Sequence, residues 1–134
     1  MYEWSEGAEP QQGNELTVDI SYKETAPCRG EMLSQNKCVN SYVCNLPQQE
    51  KEHLEAQGVL SILAVPIFIE EKFWGFIGFD DCKKERLFDA EDEAVLRSSG
   101  LLFANAWLRN ETIVKIRDTS VKLGSALEQA TVAN

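Results

Sequence analysis

At 134 residues and a formal net charge of −9, the chain is long enough for one domain with its own core and too acidic for nucleic acid or an anionic membrane. Its four cysteines form no Cys-x-x-Cys pair and have one histidine, His53, to draw on, so neither a metal site nor a bound cofactor is expected. The longest apolar run falls far short of the ~20 residues of a spanning helix, and the N-terminus is no secretory leader, so we expect a cytoplasmic chain with reduced thiols.

Met1–Trp4 reads as the tail of a strand, Ser5–Asn14 as a polar Gly/Pro-bearing loop, and Leu16–Tyr22 as a short strand. Pro27 opens a short helix over Cys28–Gln35 whose Met32 and Leu33 are expected to face the core. Cys38–Val43 is a short strand with Val39, Ser41 and Val43 on one side and Cys38, Asn40, Tyr42 and Cys44 on the other. Leu46-Pro47 starts a helix that Gly58 ends from the C′ position; Leu54 is its core contact, and Gln48, Glu50, Lys51 and Glu52 are assigned to solvent.

The next stretch, Gly58–Asp81, organises the rest. Two apolar runs, Val59–Ile69 and Phe73–Phe79, flank Glu70-Glu71-Lys72 and predict an antiparallel hairpin. Leu60, Ile62, Ala64, Pro66 and Phe68 share one face of the first run, and Ser61, Leu63, Val65, Ile67 and Ile69 the other. Both sets are nearly all apolar, so the hairpin should be covered on both sides. Pro66 marks a bulge or a one-sided pairing, and Gly75 and Gly78 a close approach. Cys82–Leu87 is a charged turn. Asp89 then caps a helix with Glu91, Asp92 and Glu93 in its first turn, which is expected to run unbroken to about Ala130.

The helix ending in Gly58, the run Ser61–Ile67 and the segment Phe73–Asp81 together resemble the core of a GAF domain, in the form found in bacterial sensor histidine kinases. The resemblance covers about residues 1–110. It implies an α+β, GAF/PAS-like fold: a central antiparallel sheet, helices packed on one face, short helices and loops closing a pocket over the other, and a long C-terminal signalling helix over 111–134. It also implies that a first helix and most of a first strand lie upstream, and that the chain stops at the linker before the phosphotransfer helix.

Each family motif has a plainer reading beside it. Phe88, Asp92 and Glu93 match half of a cyclic-nucleotide signature, but Asp81-Cys82 stands where Asn-Lys is expected; a capped helix start paired with Arg86 accounts for them. Asn45-Leu46-Pro47 stands where bilin-binding members carry Asp-Ile-Pro, yet no Cys-His dipeptide exists to hold a bilin covalently. Free methionine sulfoxide reductase shares the fold, but its cysteine motif is not recognisable in Asn36–Leu46; Cys82, beside Lys83 and Lys84, is the thiol with cationic neighbours in sequence. His53 sits in a charged helix and lacks a kinase phosphoacceptor's surroundings. No catalytic residue is therefore assigned.

Asn40, Tyr42 and Asn45 are the candidate ligand residues, lining a pocket closed by Cys38–Pro47. Ile113, Ile116, Ser120, Leu123, Leu127 and Ala130 recur at alternating spacings of three and four, the seam of a parallel two-stranded coil. The expectation is a sensory module that binds a small molecule or partner, forms a homodimer through Ile113, Ile116, Leu123 and Leu127, and signals to a downstream kinase module. A ligand-free dimerisation module is the alternative.

Overall fold

The central hairpin forms as the alternation requires. In a computed structural model that describes residues 3–13 and 22–133, strand β1 (Val39–Tyr42) pairs with β2 (Ser61–Ile69), and β2 with β3 (Lys72–Asp81), all antiparallel in the order β1-β2-β3. Every residue from Ser61 to Ile67 is buried. The parity split is literal: Ile62 and Ala64 join Leu33, Val39, Val43, Leu54 and Val59 in one core cluster, while Leu63 and Val65 join Phe88 and Leu96 in another. A strand apolar on both faces thus sits between two cores, which places it centrally.

Pro66 lies two residues past the last β1 pairing, Val39 with Ala64, and a register shift follows it between Ile67 and Phe68. Both expected meanings of the proline are therefore present. At Gly78 a Cβ would meet the Leu63 carbonyl oxygen at 2.9 Å, so the strands approach closely there; at Gly75 nothing lies within 4 Å. The hairpin turns on Glu70 and Glu71, with φ of 51° and 65°. Two left-handed residues in a two-residue loop are the geometry that Asn-Gly serves best. Glu70→Asn with Glu71→Gly should raise unfolding stability by about 1 kcal/mol. A fall in the denaturation midpoint would contradict that assignment of the turn.

One face of the sheet is covered by short helices. Helix α1 (Tyr22–Thr25) is a single turn; α2 (Pro27–Ser34) and α3 (Gln48–Glu55) pack behind it. Leu33 is buried as expected, whereas Met32 is exposed, because an eight-residue helix on a sheet has one inward stripe and Leu33 takes it. A 3-10 turn, Val43–Asn45, leads from β1 towards α3. The end of α3 is a Schellman motif: Gly58 (φ 74°) donates to the Glu55 carbonyl at 2.9 Å, and Val59 to that of Leu54 at 3.1 Å. Val59 and Leu54 also meet in the first core cluster.

The opposite face receives the first turns, up to Gly100, of helix α4 (Ala90–Ala133). Asp89 caps it: Oδ1 accepts from the N–H groups of Glu91 and Asp92, both at 2.9 Å, and Asp92 Oδ2 accepts from the Asp89 N–H at 3.3 Å. That reciprocal pairing satisfies the orphan donors of the first turn. The chain divides into two compact units, Met1–Gly100 and Leu101–Asn134. In the second, Phe103 and Trp107 stack at 6.3 Å, one helical turn apart.

Near the N-terminus the described Glu3 and Trp4 carry no strand. Instead Glu3 accepts from the Ser5 hydroxyl at 2.6 Å and the Gln11 N–H at 2.7 Å, which pins the loop that follows. The strand expected at Leu16–Tyr22 falls outside the described residues, apart from Tyr22, which begins α1.

Candidate functional site

A group of charged side chains, one of them fully buried, lies where α2, α3 and β3 meet. Glu50 stands one turn before Leu54 on α3, so it shares the inward face, and its side chain is 1% exposed. Its Oε1 accepts from the Arg29 backbone N–H on α2 at 3.1 Å, and its Oε2 lies 3.9 Å from Arg29 Nε. The Arg29 guanidinium sits 5.9 Å from the centre of the Phe76 ring on β3. Strand register puts Phe76 and Asp80 on the face of Ile62 and Ala64, the face that α2 and α3 cover.

Electrostatics tie two more groups to this arginine. Burial lowers the His53 pKa, and the Arg29 charge lowers it further. A histidine depressed in the fold supports stability above its unfolded pKa and withdraws that support as pH falls below it. Asp80 keeps solvent access, yet crowding by neighbouring atoms raises its pKa, with Arg29 opposing the shift and Glu3 adding to it. Arg29, Glu50, Phe76 and Asp80 thus share the sheet face away from α4, with His53 within reach of the arginine's charge. That face contains an anchored cation, carboxylates and an aromatic ring, which suits recognition; it offers no activated nucleophile.

The residues singled out from sequence lie elsewhere. Asn40 spends its whole amide on the chain before α4: Nδ2 donates to the Phe88 carbonyl at 2.8 Å, and Oδ1 accepts from the Phe88 N–H at 3.0 Å. Tyr42 pairs with Ser61 and is half-buried. Asn45 is exposed in the 3-10 turn, with Oδ1 3.7 Å from the Cys44 thiol. Register therefore puts Asn40 and Tyr42 on the face of Leu63 and Ser61, towards α4, while Asn45 lies past the strand.

The half-signature is used structurally as well. Phe88 is buried, stacked on Phe79 at 6.1 Å and capped by the Arg86 guanidinium at 4.3 Å. Arg86 bridges Asp81 at 2.9 Å and Asp92 at 3.7 Å. Asp81 also accepts from the N–H groups of Lys83 and Lys84, which lowers its pKa, the two backbone bonds contributing most.

All four cysteines are free. Cys82 is not activated by its lysine neighbours: burial, then Asp80, Asp81 and Glu3, push its thiol pKa up. Cys38 packs against the second core cluster, with Sγ 3.2 Å from Glu93 Oε1 and 2.8 Å from Arg97 Nη2. Burial and the Glu93 carboxylate raise its pKa to about 11 against the pull of Arg97. Among the described residues no three His, Cys, Asp or Glu side chains are grouped to hold a metal, and no helix is long and apolar enough to cross a membrane. A shallow groove of about 280 Å³ runs along α4, lined by Thr112, Lys115, Ile116, Thr119 and Ser120.

The GAF domain family model matches residues 3–107. The chain is 38% identical over 112 residues to the methanogenesis regulatory histidine kinase FilI of Methanothrix harundinacea (strain 6Ac), a match covering 83% of this chain and 13% of that protein. The chain thus spans about an eighth of its curated relative. Among solved structures it resembles the photoproduct state of GAF3 from Slr1393 of Synechocystis sp. PCC6803, with TM-score 0.61 and 15% identity over 81% of this chain and 74% of that one. The cyanobacteriochrome TePixJ GAF domain gives TM-score 0.65 at 14% identity, covering 80% and 66%. At those identities the likeness is one of fold.

Proposed function

The chain belongs to the GAF domain family, and from that premise we propose that it is the sensory module of a cytoplasmic signal-transduction protein whose output is a histidine kinase. The observation that carries this reading is α4. One unbroken helix starts against the sheet, where Leu96 is buried, and ends at Ala133. Beyond Gly100 it exposes Ile113, Ile116, Leu123 and Leu127 at coiled-coil spacing. A helix that begins in a binding domain and ends in a dimer seam converts occupancy of the one into geometry of the other.

In this reading two chains pair in parallel through the seam, each Leu123 contributing a few kcal/mol on burial. Leu123→Glu should turn a dimer into a monomer in sedimentation at micromolar concentration. If wild type and variant are both monomers, the coil is wrong. The domain binds a small molecule or partner at its Arg29–Asp80 face, with Asn40, Tyr42 and Asn45 as the rival lining. Native mass spectrometry of freshly purified protein, compared with Asp80→Ala, tests the choice: an adduct lost in Asp80→Ala supports the first, and one retained supports the second.

The alternative of a ligand-free dimerisation module draws on the packing of β2. Ile62, Leu63, Ala64 and Val65 are all within 3% of complete burial, which leaves the sheet centre filled by side chains. Homogeneous ligand-free dimers from several expression hosts would favour it. A thiol-based reductase has the least support, since Cys38 and Cys82 both resist ionisation.

A further inference from the structure

The first turns of helix α4, up to Gly100, are fastened to the sheet by little apolar surface. Between Ala90 and Gly100 only Leu96 and Gly100 are buried. A Cβ at Gly100 would lie 3.4 Å from Ile67 and 3.8 Å from Ile77, so this turn rests directly on the hairpin. The other attachments are polar: Arg86 links Asp81 at the end of β3 to Asp92, and the rest come from β1 and the residue just before it. Asn40 holds Phe88 by two hydrogen bonds, and Cys38, two residues earlier and hence on the same side, reaches Glu93 and Arg97.

The second attachment has an unusual construction. Glu93 and Arg97 already pair with each other along the helix, at 2.9 Å and spacing i,i+4. The Cys38 thiol inserts into that pair, donating to Glu93 Oε1 and accepting from Arg97 Nη2. A strand–helix bond of this kind can open without stranding a charge, because carboxylate and guanidinium keep each other. Opening a conventional ion pair between two elements would leave both partners unsatisfied.

We propose that Cys38, Glu93 and Arg97 form a reversible latch between the start of β1 and the first turns of α4. Closed, it fixes the helix to the strand; open, it releases residues 90–100 while Glu93 and Arg97 remain paired. What the opening is for rests on the sensory reading above, but its existence does not. A short apolar attachment with a polar tie is the arrangement of a locally opening element rather than a globally unfolding one.

Amide hydrogen exchange on the whole chain tests this without ligand or output. In Cys38→Ala, and in Glu93→Ala whose side chain is part-exposed, amides of residues 93–100 should exchange about tenfold faster than in wild type. Amides of Leu63–Val65 should keep their rates. Cys38→Ser, which restores a donor and acceptor, should recover most of the protection. The latch is overturned if the helix rates do not change, if Leu63–Val65 accelerate equally, or if Ser behaves as Ala. Dimerisation and ligand binding are read by separate measurements, so failure of the latch and failure of the sensory reading are distinguishable.

Discussion

Glu50→Ala should destabilise the chain by about 3 kcal/mol, more than any surface substitution on α3. The carboxylate is 1% exposed and receives the Arg29 N–H. Removing it takes the acceptor from the buried Arg29 N–H and a carboxylate from beside a mostly buried guanidinium, and breaking a buried pair from one side costs about 3–5 kcal/mol. The ion pair itself is long at 3.9 Å, which places the expectation at the lower end. Glu50→Gln keeps an acceptor for the Arg29 N–H and should lose only about 1 kcal/mol. Glu52→Ala, two residues along on the exposed side of α3, is the control and should fall within about 0.5 kcal/mol of wild type. Urea denaturation of the three variants decides the matter. If Glu50→Ala matches Glu52→Ala, the buried pair carries no stability and the Arg29–Asp80 face loses its anchor.

Thiol labelling at pH 8 should separate the cysteines into two classes. Cys28 and Cys44 are exposed and should react first, while Cys38 and Cys82 are part-buried and should lag. Cys38 should be slowest. A thiol pKa raised from 9.0 to about 11 leaves about one-hundredth of the ordinary thiolate at that pH, and thiolate is the reacting form. The sign also fixes a pH dependence. A thiol whose pKa is raised by folding contributes its full stabilisation below the unfolded value and loses it as pH rises towards about 11. Alkylation followed by peptide mass spectrometry, in native buffer and again in denaturant, reads this directly. The classes should merge on unfolding. Equal native rates for Cys38 and Cys44 would mean that the thiol is not held between Glu93 and Arg97.

The strands, the helix stops and the α4 cap were legible because each is a local matter. Alternation through Ser61–Ile69, the glycine at 58 and the aspartate at 89 act through residues within five positions of themselves. The length of α4 was legible for the same reason, since nothing after Pro66 breaks a helix. Three local readings still failed, the first being the strand tail expected at Met1–Trp4, which is absent at the described Glu3 and Trp4. Met32 was assigned to the core and is exposed, and Glu50 was assigned to solvent and is buried. For Glu50, charge overrode periodicity: Glu50 and Leu54 are four apart and must share a face, and that spacing was the available signal.

Parity along Cys38–Cys44 determined which residues travel together, and Val39 and Val43 do enter one core cluster while Cys38 enters the other. It did not determine which helices lie over which side. That depends on how the chain returns after β1 and after β3, a property of the whole topology. The sequence by itself therefore settled the family, the two-sided hairpin and the long C-terminal helix, all built from contacts within a few residues. Only the tertiary structure decided that Arg29, Glu50, His53 and Asp80, drawn from three elements up to fifty-one positions apart, meet on one face, and that Cys38 meets Glu93 and Arg97 on the other. Long-range encounters of polar groups leave no periodic trace, because a single charged residue looks the same in a sequence whether its partner is water or another element.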